Sequence, residues 1–214
     1  MNRARYAVSP VFSKTQTSVG LSAFTKTMIF GLGHHHFPRH RKSIGVYTAN
    51  YLVEGFGFQW RTKPKSYVYG AEGERVVVVK PKSWLTEHVG PSLQAAMREF
   101  EVVSLEDVII VHYDKDQPVG HFNERLGGRV DHIPELRAIA DLMGSDRFRR
   151  LEVGVGAPTK DYKHVVVPTS AFSYSQEEID ELFLLNRIPH EHEATLNLAL
   201  KRLKGYMNEH YAKL

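Results

Sequence analysis

The chain has no cysteine, which excludes disulfides, thiolate catalysis and cysteine-ligated zinc or iron–sulfur centres. Long apolar runs are missing too. Stretches such as Val76 to Val79 and Val108 to Val111 suit a strand and are far too short to cross a bilayer, so a soluble protein without a membrane partner is expected. Acids are absent from the first quarter: no Asp or Glu precedes Glu54, whereas Arg3, Arg5, Lys14, Lys26, Arg39, Arg41 and Lys42 do. Of the 28 Lys and Arg, 21 remain from residue 54 onward against all 24 acids, so the body is near neutral and the net charge of +4 belongs to the N-terminal quarter.

What is present suffices for a folded domain. At 214 residues, 42% hydrophobic and 24% charged, the chain can bury a full core and reads as one domain with an extension. Residues 1–27 carry eight Ser or Thr, scattered apolar residues and no acid, the composition of an organellar transit segment, and mitochondrial import is expected. A disordered basic tail is the alternative.

The pattern from Thr27 to Leu32 predicts a buried strand, and Ser43 to Glu54 a helix. Gly55, Gly57 and Pro64 mark residues 55–65 as a connection. Ser66 to Tyr69 and Arg75 to Val79, parted by Gly70 to Gly73, predict a hairpin, and Ser92 to Val102 a second helix. Val108 to Val111 fits a central strand buried on both faces. A strand from Pro118 to Leu126, a helix from Pro134 to Met143 ended by Gly144, and strands at Arg150–Val155 and His164–Val167 follow. Ser175 with Glu177 and Glu178 starts a helix, and the last, from about Glu191, aligns Leu196, Ala199, Leu200, Leu203 and Met207. This alternation implies an α/β protein, a three-layer α/β/α sandwich.

Four segments stand out: Met28-Ile-Phe-Gly-Leu-Gly33, Lys80-Pro-Lys-Ser-Trp-Leu85, Val108-Ile-Ile-Val-His-Tyr-Asp-Lys-Asp-Gln-Pro-Val-Gly120 and Arg150-Leu-Glu-Val-Gly-Val-Gly-Ala-Pro158. In this order and spacing they resemble bacterial-type peptidyl-tRNA hydrolase, which cleaves the ester joining a stalled peptide to tRNA. The resemblance runs from residue 28 to roughly 205 and implies a mixed, mostly parallel central sheet, with residues 28–214 as a single domain and 1–27 as its extension.

The reactive side chains of that family are replaced. Its strand-ending Asn becomes His34, and its catalytic His becomes Lys42 in His40-Arg41-Lys42-Ser43-Ile44-Gly45. An ordinary lysine is protonated at neutral pH and cannot accept a proton unless burial depresses its pKa. The family's orienting Asp aligns with Tyr113. The Asn after its Lys-Pro motif aligns with Thr86, and the Asn before its later helix with Pro134, which has no amide to offer. Without base, orienting acid or amide donors, ester hydrolysis lacks its polar machinery.

The run His34-His35-His36-Phe37-Pro38-Arg39-His40 invites a metal, but adjacent loop histidines cannot all face one ion and the nearest acid is Glu54. No metal and no cofactor are expected. An RNA-facing loop fits better, since His, Arg and Lys all donate to phosphate. His112 reads as a structural histidine, and Asp114 and Asp116 as a charged turn. Of the family's basic residues for the tRNA end, Arg125 keeps one position before Leu126-Gly127-Gly128, while Glu152 stands at the other, just after Arg147, Arg149 and Arg150.

The expected role is therefore a non-enzymatic relative of peptidyl-tRNA hydrolase in the mitochondrial matrix, a structural or assembly component of the large ribosomal subunit. Its partners would be rRNA, mitochondrial ribosomal or assembly proteins, and tRNA. Arg39, Arg41, Lys42, Arg125, Arg149 and Arg150 would meet RNA phosphates. The alternatives are an organellar RNA splicing or maturation factor, as the fold has been borrowed for intron splicing in chloroplasts, and a hydrolase with relocated residues, using Lys42, His34 or His112.

Overall fold

Alternating apolar side chains on the central strands put helices on both sides of the sheet. The computed structural model describes residues 26–33, 41–63, 65–83, 85–118, 120–130, 133–155, 194 and 197–202. Its strands are β1 (Thr27–Gly31), β2 (Arg61–Lys63), β3 (Val68–Glu72), β4 (Val76–Pro81), β5 (Val108–Asp114), β6 (Phe122–Leu126) and β7 (Arg149–Gly154). Its helices are α1 (Ile44–Phe56), α2 (Thr86–Glu99) and α3 (Pro134–Met143). On β1, Met28 and Phe30 enter one core and Ile29 the other; on β4 and β5, Val77, Val79, Val108 and Ile110 oppose Val76, Val78, Ile109 and Val111 in the same way. Continuous apolar runs thus mark parallel strands buried on both faces.

The described strands form a seven-stranded sheet in the order β2-β3-β4-β1-β5-β7-β6. The middle pairs β4–β1, β1–β5 and β5–β7 are parallel, and β2–β3, β3–β4 and β6–β7 antiparallel. One face is covered by α1 through Ile44, Ala49, Leu52 and Val53, with Ala199 and Leu200 of the helical residues 197–202 beside it. The other is covered by α2 (Val89, Leu93, Ala96) and α3 (Leu136, Ile139). Each such fully buried Ile or Leu contributes about 2 kcal/mol. The result is the expected three-layer α/β/α sandwich with a mixed sheet, parallel in its middle and antiparallel at both sides. Among the described residues no helix is long and apolar enough to cross a membrane.

Local boundaries differ. Residues 55–65 are not a plain connection: α1 continues through Gly55 to a C-cap at left-handed Gly57 (φ 69°), and β2 follows. The hairpin turns at Gly73–Arg75, closed by Gly73 N–H to the Val76 carbonyl at 2.8 Å, while Gly70 lies inside β3. Gly70 is there for room, because a Cβ would strike the Phe100 ring. The second helix starts at Thr86 and ends at Glu99, passing through Pro91, which gives up the intrahelical bond that an N–H there would make to the Glu87 carbonyl. β6 begins at Phe122, since His121 N–H turns back to the Pro118 carbonyl at 3.1 Å, with Gly120 at φ 89°. The expected strand at His164–Val167, the helix from Ser175, Leu196, Leu203, Met207 and the N-terminal extension up to residue 25 lie outside the described residues.

Candidate functional site

In an open α/β sheet the crevice outside the carboxyl ends of the parallel strands is where a ligand is held. Two glycines shape that edge. A Cβ on Gly31 would collide with the Gly45 carbonyl, and one on Gly45 with the Val111 carbonyl and, at 2.6 Å, the Leu32 nitrogen. Without them α1 could not start flush against β1 and β5. Leu32 N–H donates to the Val111 carbonyl at 2.9 Å and Val46 N–H to the Leu32 carbonyl at 3.1 Å. This seats the 3₁₀ turn Arg41–Ser43 beside β5 with Lys42 exposed.

The other positions that the resemblance singles out come to the same edge. Thr86 is the first residue of α2, directly beyond β4; Tyr113 is next to last in β5; Pro134 opens α3. His34 and Arg39 lie outside the described residues, as does the Arg41 side chain. The Tyr113 phenol is pushed up to about 12 by burial, with the Glu135 carboxylate adding to the effect. Glu135 Oε2 is buried and has no hydrogen-bond partner among the described residues. Tyr113 is thus a neutral hydroxyl at physiological pH and offers no negative charge to orient a base. The base role for a lysine depends on burial, and Lys42 is exposed.

A second cluster forms across β5, β7 and β6, where register sets His112 and Asn123 on either side of Glu152. Glu152 is 4% exposed. Its carboxylate accepts from Asn123 Nδ2 at 3.2 Å and lies 3.5 Å from Arg125, 3.8 Å from Arg150 and 3.9 Å from His112 Nε2. His112 Nδ1 lies 2.8 Å from the Tyr113 carbonyl; a carbonyl only accepts, so Nδ1 carries the proton. The structural reading of His112 holds in that it is buried and bonded to main chain.

Arg150 corrects one expectation. Its side chain is fully buried, and its guanidinium donates to the carbonyls of Gly127 (2.6 Å) and Arg129 (3.1 Å). It fixes the 127–129 loop and cannot meet a phosphate. Burial pulls its pKa below the usual arginine value, and Glu152 pulls it back up. Arg125 is half-exposed and leans on Glu152, while Arg149 is half-buried. The sequence placed Glu152 at the clamp position; that it is the buried centre of this network, and that Glu135 stands by Tyr113, follows only from pairing across strands.

The family model described as peptidyl-tRNA hydrolase matches residues 28–212. The chain belongs to the peptidyl-tRNA hydrolase family. The Streptomyces avermitilis peptidyl-tRNA hydrolase is 27% identical over 204 residues, covering 90% of this chain and 98% of its own. The Mesoplasma florum peptidyl-tRNA hydrolase is 24% identical over 165 residues, 75% of this chain and 87% of its own. Among solved structures, peptidyl-tRNA hydrolase from Acinetobacter baumannii superposes with a TM-score of 0.65 at 20% identity, over 86% of this chain and 90% of that one. The fold of this peptidyl-tRNA hydrolase family member is therefore that of its relatives.

Proposed function

We propose that this family member does not hydrolyse peptidyl-tRNA and serves in the mitochondrial matrix as a structural or assembly component of the large ribosomal subunit, binding rRNA and neighbouring proteins, with tRNA a further ligand. The observation that carries the reading is the end of β5. Where the family's motif has an orienting acid, this chain has Tyr113, its phenol held neutral by burial, at the same edge as exposed Lys42 in the catalytic position. A neutral hydroxyl cannot orient a base by charge, and an exposed lysine lacks the burial on which a base role depends. The tRNA-end position supports it: the buried Glu152 carboxylate lies 3.5 Å from half-exposed Arg125 and offsets part of its charge where a phosphate would sit. Phosphate contact then falls to Arg39, Arg41, Lys42, Arg125 and Arg149. The matrix location rests on the acid-free, Ser/Thr-bearing N-terminal residues.

Two measurements test this. Purified protein incubated with peptidyl-tRNA is expected to release no peptide above the no-enzyme rate; turnover abolished by Lys42→Ala would overturn the non-catalytic reading. On sedimentation of organelle lysate the protein is expected with large-subunit particles. A protein that stays at the top of the gradient, or that crosslinks to intron RNA and not to rRNA, would overturn the ribosomal one.

A further inference from the structure

At the outer, β3–β4 side of the same sheet edge, the residues leading into β3 and one side of α2 enclose a groove of ≈ 460 Å³. Lys65, Tyr67, Ser83, His88, Ser92 and Arg98 line it, and among the described residues no carboxylate does. Glu99, next to Arg98, is taken up by Ser66 and by Lys63 at 3.7 Å. The segment feeding the groove, Trp60 to Lys82, carries six Lys or Arg and two Glu, a net +4 within a body that is otherwise slightly acidic.

Tyr67 is the unusual member. Its φ of 53° is left-handed, a conformation that strains a bulky residue, and its side chain is 69% exposed. Lys82 N–H holds it there through the Tyr67 carbonyl at 2.9 Å. An aromatic ring kept in a strained backbone and left in solvent gains nothing inside the fold, so what it can gain lies in a partner. His88 is braced toward the same space, its Nδ1 2.8 Å from Ser83 Oγ.

We propose that this groove binds single-stranded RNA, one base stacking on Tyr67 while Lys65, Arg98 and His88 hold the flanking phosphates. Stacking on an exposed ring beside cations is how unpaired nucleotides are held without sequence preference, and a duplex has no free base face to offer. The groove lies toward the β2–β3–β4 edge of the sheet, at the far side from the β6–β7 edge carrying Arg125. The proposal rests on the RNA-binding reading above but not on a place in the ribosome.

The test is fluorescence anisotropy of the full chain with a labelled oligouridylate of about 12 nucleotides, within the span such grooves cover, alongside thermal melts. Tyr67→Gly relieves the left-handed strain, so its melting temperature should hold or rise, while affinity falls about ten-fold. Lys65→Glu with Arg98→Glu should weaken binding at least as much and flatten its salt dependence. Unchanged affinity in Tyr67→Gly, loss confined to Arg125→Glu, or preference of the groove for an acidic peptide over RNA would each overturn the proposal. Loss of RNA binding in Tyr67→Gly by a protein absent from ribosomal particles would sink only the ribosomal reading.

Discussion

At the scale of single residues, Tyr113 and Arg150 are the two side chains whose surroundings decide most. A phenol whose pKa moves from 10.0 to about 12 on folding favours the folded state while it keeps its proton. That stability, about 2 to 3 kcal/mol, is complete below pH 10 and is lost as pH rises through 12. Urea unfolding at pH 9 and near 12 should show the decline, and Tyr113→Phe should remove this part of it. A phenol titrating near 10 in the ultraviolet would contradict the burial argument. Arg150→Ala removes two main-chain hydrogen bonds and a cation facing the buried Glu152. A loss of about 3 kcal/mol is expected from denaturant midpoints, with Arg150→Lys in between because an ammonium cannot span both carbonyls. Lys42, Thr86, Tyr113 and Pro134 are singled out by the resemblance, and that they come to one edge of the sheet follows only from the fold. Arg150 was misjudged, since a charge in a basic run looks the same in sequence whether it faces solvent or a loop carbonyl.

At the scale of elements, the seat of α1 is the tightest joint. Gly45→Ala forces a methyl into the Val111 and Leu32 main chain, which a helix packed on a central strand cannot yield to. A cost of about 3 kcal/mol and a melting temperature lower by about 6–12 °C are expected by circular dichroism. An alanine variant as stable as the parent would mean that α1 sits further out. Elements with their own caps or continuous apolar runs were readable: β1, β5, and α3 between Pro134 and Gly144. β2 was not, because Arg61–Lys63 is polar and short and exists only through its pairing with Val68–Gly70. The hairpin was misplaced because glycine signals a turn in sequence, whereas Gly70 makes space for Phe100. The Glu152 network depends on cross-strand register, which linear spacing does not record.

At the scale of the whole molecule, the class and layering were legible from the alternation of elements, and the order of strands came from the fold alone. β1 lies in the middle of the seven, bonded on one side to Val76–Val79 and on the other to Val108–Val111, with Met28, Ile29 and Phe30 fully buried. Amide hydrogen exchange should therefore be slowest at Ile29 and Phe30, opening only with global unfolding. Rapid exchange there would contradict a central β1. The same position has a cost in time. When the chain is made amino end first, its most buried strand precedes both neighbours and keeps at least one open edge until residue 111 has followed. A nascent chain stalled before Val108 cannot close the second edge of Met28–Gly31, and over that interval the unpaired strand is open to aggregation.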